Sequence, residues 1–309
     1  MNTLAEAMPG AEPQAPARPL ARTAPVRPLY WQMRRELWEH RSLWVAPTAV
    51  AALALLGMLV GIAHIPNVQA NVKLDASGVA AVSVAPYALA ALAIMATGFI
   101  VAVVYCLGAL HNERRDRSIL FWKSMPVSDV TAVGVKAAVP LVALPAILFA
   151  VIIVTQLLMM ALNAVLLLPG GGRFAGLWAQ WPIFRQTLVL AWALVSQTLW
   201  LAPVWGWLLM VSAWARRAPF LWAVLPPLGL CLVEAIAFST GNFFHFLHYR
   251  LGGGLGLAFS DAGPNSQMVD VAQIDPGRFF GSFEVWGGLL AAAAFLAITV
   301  WLRRTRDPA

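Results

Sequence analysis

Six long apolar stretches dominate this chain, and they limit what it can fold into more than any other feature. They run at approximately 44–65, 85–110, 137–165, 187–214, 220–239 and 284–302. A bilayer core takes roughly 20 apolar residues of helix to cross, so the expected fold is all-α: a polytopic membrane protein with six transmembrane helices. Composition agrees with this. Of 309 residues 60% are hydrophobic and 11% charged, with a mean hydropathy of +0.73, whereas soluble chains carry about a quarter charged residues. So few charges cannot clothe a water-facing surface. The net charge of +7 does not indicate a nucleic-acid partner, because the basic residues fall in short clusters between the apolar runs.

Prolines modulate the spans. Pro140 and Pro145 in the third and Pro203 in the fourth predict tilt or kinking. Pro226 and Pro227 predict a fifth span that is either broken into two halves or kinked against its neighbours.

Lys and Arg concentrate on the cytoplasmic side of membrane proteins. With the amino terminus inside, 16 of the 21 basic residues fall on the inner side: six before Trp44, five from Arg114 to Lys136, then Arg216, Arg217, Arg303, Arg304 and Arg306. Lys73, Arg173, Arg185, Arg250 and Arg278 are left outside. Both termini are therefore expected in the cytoplasm. Trp31, Trp38, Trp44, Trp178, Trp181, Trp214, Trp286 and Trp301 lie near the span ends, where indoles favour the interface.

Residues 1–28 are rich in Ala, Pro and Arg and offer little apolar surface to bury, which predicts a disordered tail. A transit peptide is the competing reading, opposed by the glutamates and prolines. The following LYWQMRRELWEHRSLW places Tyr30, Met33, Leu37 and Trp44 near one helical face and Arg34, Arg35, Glu36 and Arg41 largely on others. That pattern predicts an amino-terminal interfacial helix; a short anchor extending the first span is the alternative.

Residues 111–136, HNERRDRSILFWKSMPVSDVTAVGVK, form the longest inner loop and the densest charge cluster. Ser118 can cap a short helix bearing the apolar Ile119, Leu120, Phe121, Trp122 and Met125, which Pro126 ends. Ser128 and Asp129 can cap the next helix, with the acid at the positive end of its dipole. A short apolar helix held outside the bilayer by charges needs a surface to dock on.

Here the chain resembles the ABC type-2 transporter permease family. The resemblance rests on Glu113-Arg114, Ser118, the quartet Ile119 to Trp122, Ser124, Pro126 to Ser128 and Lys136, in that order. It implies that the short helix is a cytoplasmic coupling helix seated in a cleft of an ATP-hydrolysing partner, and that Glu113 belongs to the inner gate region. It further implies a transmembrane domain over about 29–305, a surface-lying first helix, short outer helices between the last two spans, and a second permease copy as partner. A bacterial inner membrane is the location it implies. An ordinary loop obeying the positive-inside bias would carry similar charge. The only lysines are Lys73, Lys123 and Lys136 and none follows a glycine, so the chain has no phosphate-cradling P-loop. ATP and Mg are accordingly expected on a separate P-loop ATPase subunit, with no cofactor held by this chain.

Inside the spans, Glu234 is the clearest ionisable group and, with Gln156 and Gln197, a candidate for lining a substrate path. Asn163 and Ser196, like the two glutamines, are alternatively read as hydrogen-bonding between helices. Gly57 and Gly61 form a G-x-x-x-G that permits close helix approach. Cys106 and Cys231 each lie in an apolar run, as packing or lipid-facing residues. The outer loop at 240–283 is long enough to carry its own structure. Its His245 and His248 lack a nearby third ligand, so no metal site is expected.

The function these features favour is a permease subunit, without an ATPase or other catalytic site of its own, exporting a hydrophobic or amphipathic substrate. A secondary, ion-coupled transporter and a membrane-embedded enzyme are the alternatives.

Overall fold

The computed structural model describes residues 28–69, 76–116, 128–167, 183–260 and 271–305. Among these residues it is helical with no strand, and an isolated antiparallel bridge joins Phe259 to Ile274. Residues 1–27, and so nearly all of the expected tail, lie outside them.

Helix α1 (Pro28–Glu39) precedes α2 (Ser42–Gln69), α3 (Ala76–Ala109), the single turn α4 (His111–Arg115) and α5 (Asp129–Ala138). A π-helical turn at Val139–Ala143 leads into α6 (Leu144–Leu167). Then come α7 (Ile183–Trp200), α8 (Ala202–Trp214) and α9 (Pro219–Phe238). The short α10 (Asn242–Gly252), α11 (Gly254–Ala258) and α12 (Pro276–Gly281) precede α13 (Phe283–Thr305).

Five of the described segments are long and apolar enough to cross a membrane: Ser42–Gly61, Ala85–Arg115, Asp129–Asn163, Pro219–Phe238 and Phe283–Thr305. A sixth is added if Phe184–Trp200 and Ala202–Trp214, bent by 48°, count as one span. Their outward faces are apolar, with Leu53, Val60, Ile236, Phe238 and Leu290 all exposed. Apolar surface of that extent suits a multi-pass membrane protein, because water penalises it.

The prolines act in three ways, all traceable to a missing N–H and a ring that collides with the carbonyl four residues back. Around Pro140 the helix widens into the π turn, closed by Leu144 N donating to Val139 O. Before Pro203 it breaks, and the fourth span bends at Leu201. Pro226 and Pro227 do neither, for α9 runs unbroken from Pro219 to Phe238. Pro227 deprives Ala223 O of its helical donor, and the Trp207 indole of α8 donates to that oxygen instead at 3.1 Å. A neighbouring helix that satisfies the freed carbonyl removes the reason to split.

The core lies among α2, α3, α6, α8 and α13, with Leu43, Ile94, Ile152, Leu209 and Val285 fully buried. α13 lies closely along α8, where a Cβ at Gly206 would stand 3.2 Å from Ala292 O. Gly57 and Gly61 have nothing within 4 Å of such a Cβ, so no described part of this chain uses their G-x-x-x-G for close approach.

One end of the bundle carries α1, α4, the start of α5 and the end of α13, and most of the described charge. The opposite end carries α10–α12, which fold back into the bundle: Trp192 Nε1 donates to Ala258 O at 2.8 Å, and Phe259 and Phe279 are buried. The described parts of 240–283 therefore have structure of their own, as the segment's length predicts.

Candidate functional site

At the charged end five ionisable side chains from four elements meet in one continuous chain. Ser128 caps α5, accepting from Thr131 N at 3.1 Å, and this starts the helix so that Asp129 and Lys136, seven residues apart, share a face. Lys136 Nζ lies 2.8 Å from Glu36 Oε1 of α1 and 3.0 Å from Glu113 Oε1 of α4. Arg303, in the last turn of α13, reaches Glu113 Oε2 through Nη1 and Asp129 Oδ1 through Nε, each at 3.0 Å. Tyr105 OH donates to Glu36 Oε2 at 3.0 Å, and His40 sets its ring edge-on to Tyr105.

Three of these groups are nearly dry, whereas Glu113 at 14% and Asp129 at 26% keep some exposure. The Lys136 side chain is 4% exposed, Arg303 6% and Glu36 7%. Burial of a carboxylate raises its pKa, yet Glu36 is held below its ordinary 4.5. The charge and hydrogen bond of Lys136 more than offset the burial, with smaller help from His40 and the Tyr105 hydroxyl. A cavity of about 270 Å³ opens beside the chain, lined by Gln32, Glu36, Glu113, Asp129, Lys136 and Arg303 among others.

Arg114 makes a second tie. Its Nη2 donates to Ser212 O at 2.7 Å and Ala215 O at 2.8 Å, at the end of α8. Ser212 Oγ in turn accepts from Leu110 N and His111 N and donates to Leu107 O. The end of α3 is thereby fastened to the end of α8.

Of the residues singled out in sequence, Ser118, Ile119, Leu120, Phe121, Trp122, Ser124 and Pro126 lie outside the described residues. What is described is how their segment is anchored: Arg303 grips Glu113 just before it and Asp129 just after it. Buried ion pairs hold geometry because separating them strands a charge out of water, at a cost of about 3–5 kcal/mol when one partner is removed.

Glu36 falls on the polar side of the α1 pattern and Arg303 among the inner-side cations, and neither pattern shows that both are buried. One signal was available: Lys136 lies seven residues inside a helix capped at Ser128 and continuous with an apolar span, where a cation requires carboxylate partners.

The candidate path residues do not converge. Glu234 Oε1 accepts from Thr240 Oγ1 at 2.8 Å and Asn242 N at 2.9 Å, and its Oε2 accepts from Phe243 N at 2.7 Å, so the carboxylate caps α10. Its helix, α9, neighbours α8, α10 and α3, whereas Gln156 and Gln197 are on α6 and α7, which pack together. Gln156 is half-buried, and the buried Gln197 Oε1 meets no hydrogen-bond donor among the described residues. Asn163 does bond between helices, donating to Tyr87 OH at 2.7 Å, while Ser196 bonds only within its own helix to Ala193 O.

At the opposite end Arg250 is buried and stacks on Trp200, its guanidinium carbon 4.3 Å from the ring centroid, with Nη1 donating to Glu284 O at 3.1 Å. Tyr249 OH donates to Glu284 Oε2 at 2.7 Å; burial first, then this bond and the carboxylate charge, push the phenol up to about 12. Among the described residues no three His, Cys, Asp or Glu side chains are grouped to hold a metal ion, at His245 and His248 or elsewhere.

Comparison with protein-family models, with curated proteins and with solved structures returns no match.

Proposed function

We propose that this chain is the permease subunit of an ATP-driven exporter, spanning a bacterial inner membrane six times with both termini in the cytoplasm and energised by a separate P-loop ATPase. The observation that carries this reading is the anchoring of the 117–127 segment, whose two flanks, Glu113 and Asp129, are joined by one buried guanidinium. A coupling helix at Ser118–Met125, docked in the ATPase, delivers its displacement there. The same ion chain reaches α1 through Lys136 and Glu36, so one movement shifts the inner ends of the second, third and sixth spans together with the surface helix. Closed, the chain is the inner gate; ATP-driven motion of the partner strains it, and substrate leaves outward between two permease copies. The sparsely polar spans favour a hydrophobic or amphipathic cargo.

A secondary transporter is the second reading, favoured by the 48° bend in the fourth span and the unmatched Gln197 Oε1 close to it, since such transporters use interrupted helices. Purification of the tagged chain from its native membrane in mild detergent separates the two. The exporter reading expects a stoichiometric P-loop ATPase that is lost when Phe121→Asp and Trp122→Asp are introduced. Recovery of the chain alone, under conditions that preserve ABC complexes, would refute it.

A further inference from the structure

Helix α1 has two faces with different company. One packs Met33, Glu36 and Leu37 against the bundle. The other exposes Leu29, Tyr30, Trp31, Arg34 and Trp38, with Trp31 56% and Trp38 67% exposed. Arg34 is not loose on that face: its guanidinium carbon lies 5.5 Å from the Trp31 ring centroid and 5.7 Å from that of Trp38. Such stacking fixes a guanidinium while leaving its in-plane N–H donors for an acceptor. No carboxylate pairs with Arg34 or with the exposed Arg41 among the described residues. The other acid of α1 besides the buried Glu36 is Glu39, and Arg35 neutralises it, donating from Nε at 2.7 Å. The exposed face is thus aromatic, cationic and short of anions.

We propose that this face binds the phosphate of an anionic phospholipid in the inner leaflet, with Arg34 as its donor between the two indoles and the exposed Arg41, just past the end of α1, adding positive charge. The proposal rests on the reading of α1 as a surface-lying helix. Charge complementarity selects the occupant: free guanidinium donors ask for an anion, and exposed indoles at the base of the first span belong where acyl chains meet headgroups. Seating α1 this way also steadies Glu36, on its other face, against Lys136 and Tyr105.

The test uses the full chain in nanodiscs of phosphatidylcholine mixed with phosphatidylglycerol, with native mass spectrometry reading the ratio of the two lipids retained. The wild type is expected to retain phosphatidylglycerol preferentially. R34Q reduces that preference about fivefold, R34Q/R41Q reduces it further, and R217Q, an exposed inner-side arginine with no indole stacked on it among the described residues, reduces it less than R34Q does; a basic residue near an anionic leaflet contributes about that fivefold factor when it is seated on the headgroups. Soluble glycerol phosphate does not displace the lipid. Equal retention by wild type and R34Q/R41Q would overturn the proposal, as would full competition by glycerol phosphate, which would make the site one for a free anion. Fluorescence quenching by shallow-brominated phosphatidylcholine identifies which premise failed. Loss of quenching in W31F/W38F keeps α1 at the membrane surface and limits the failure to the phosphate, whereas unchanged quenching removes the surface placement itself and the proposal with it. ATPase co-purification is independent of all these readouts.

Discussion

Replacing Lys136 by Met tests the ion chain where it is most constrained. The ammonium is almost fully buried and is held at 2.8 Å and 3.0 Å by Glu36 and Glu113. Met fills a similar volume but strands Glu36, whose remaining partners are a neutral hydroxyl and His40 at 3.8 Å. Glu113 keeps Arg303. Removing one partner of a buried pair costs about 3–5 kcal/mol, and because only one carboxylate is stranded the low end applies, about 3 kcal/mol at neutral pH. Equilibrium unfolding in mixed detergent micelles measures this. The pH dependence supplies the sharper reading. In the wild type Glu36 is held below 4.5, so its contribution is present above that value and lost as the pH falls further. In Lys136→Met burial dominates and raises the Glu36 pKa, so the variant's deficit shrinks as the pH is lowered and the carboxyl takes a proton. Glu36→Gln added to Lys136→Met removes the stranded charge and recovers most of the loss. A variant within about 1 kcal/mol of the wild type at neutral pH would refute the reasoning, since an exposed pair has that value. So would an unaltered acid profile.

Three further outcomes follow from particular contacts. A Cβ at Gly288 would fall within the Arg250 guanidinium; Gly288→Ala is expected to lower stability by about 1–3 kcal/mol, as overpacking does, and to unseat α10 in hydrogen exchange, with Arg250→Ala relieving the clash. Trp207→Phe leaves Ala223 O without a donor and should cost about 1–3 kcal/mol. Pro227→Ala, which returns a helical N–H to that carbonyl, should make the Trp207→Phe change nearly neutral in a thermal-unfolding cycle. Ser212→Ala removes the hydroxyl that ties Leu110, His111 and Leu107; faster amide exchange at the end of α3 reads the release, and unchanged exchange would show that Arg114 alone holds that junction.

Much of the fold was legible because membrane helices are encoded by length and hydropathy, which are local properties. Five of the expected windows fall within about five residues of the apolar segments now seen, apart from the earlier start at Asp129, and the fourth is met by two helices bent by 48°. The Ser128 cap and the structure within 240–283 were equally readable. The proline effects were readable only as a class: whether a freed carbonyl kinks its helix depends on what stands opposite, as Trp207 does for Ala223. Glu36 and Arg303 escaped for a similar reason, since no local pattern links them to Lys136 and Asp129, partners 100 and 174 positions away in sequence.

The sequence by itself determined that this chain is built of long apolar helices and roughly where they lie, because burial of apolar side chains and satisfaction of backbone hydrogen bonds are settled residue by residue along a helix. Only the tertiary structure decided which charges are paired and dry. Lys136, Glu36 and Arg303 are kept from water and each finds an opposite charge on whatever element the fold brings beside it, while Glu234 caps α10 because the fold sets its carboxylate against that helix's first N–H groups.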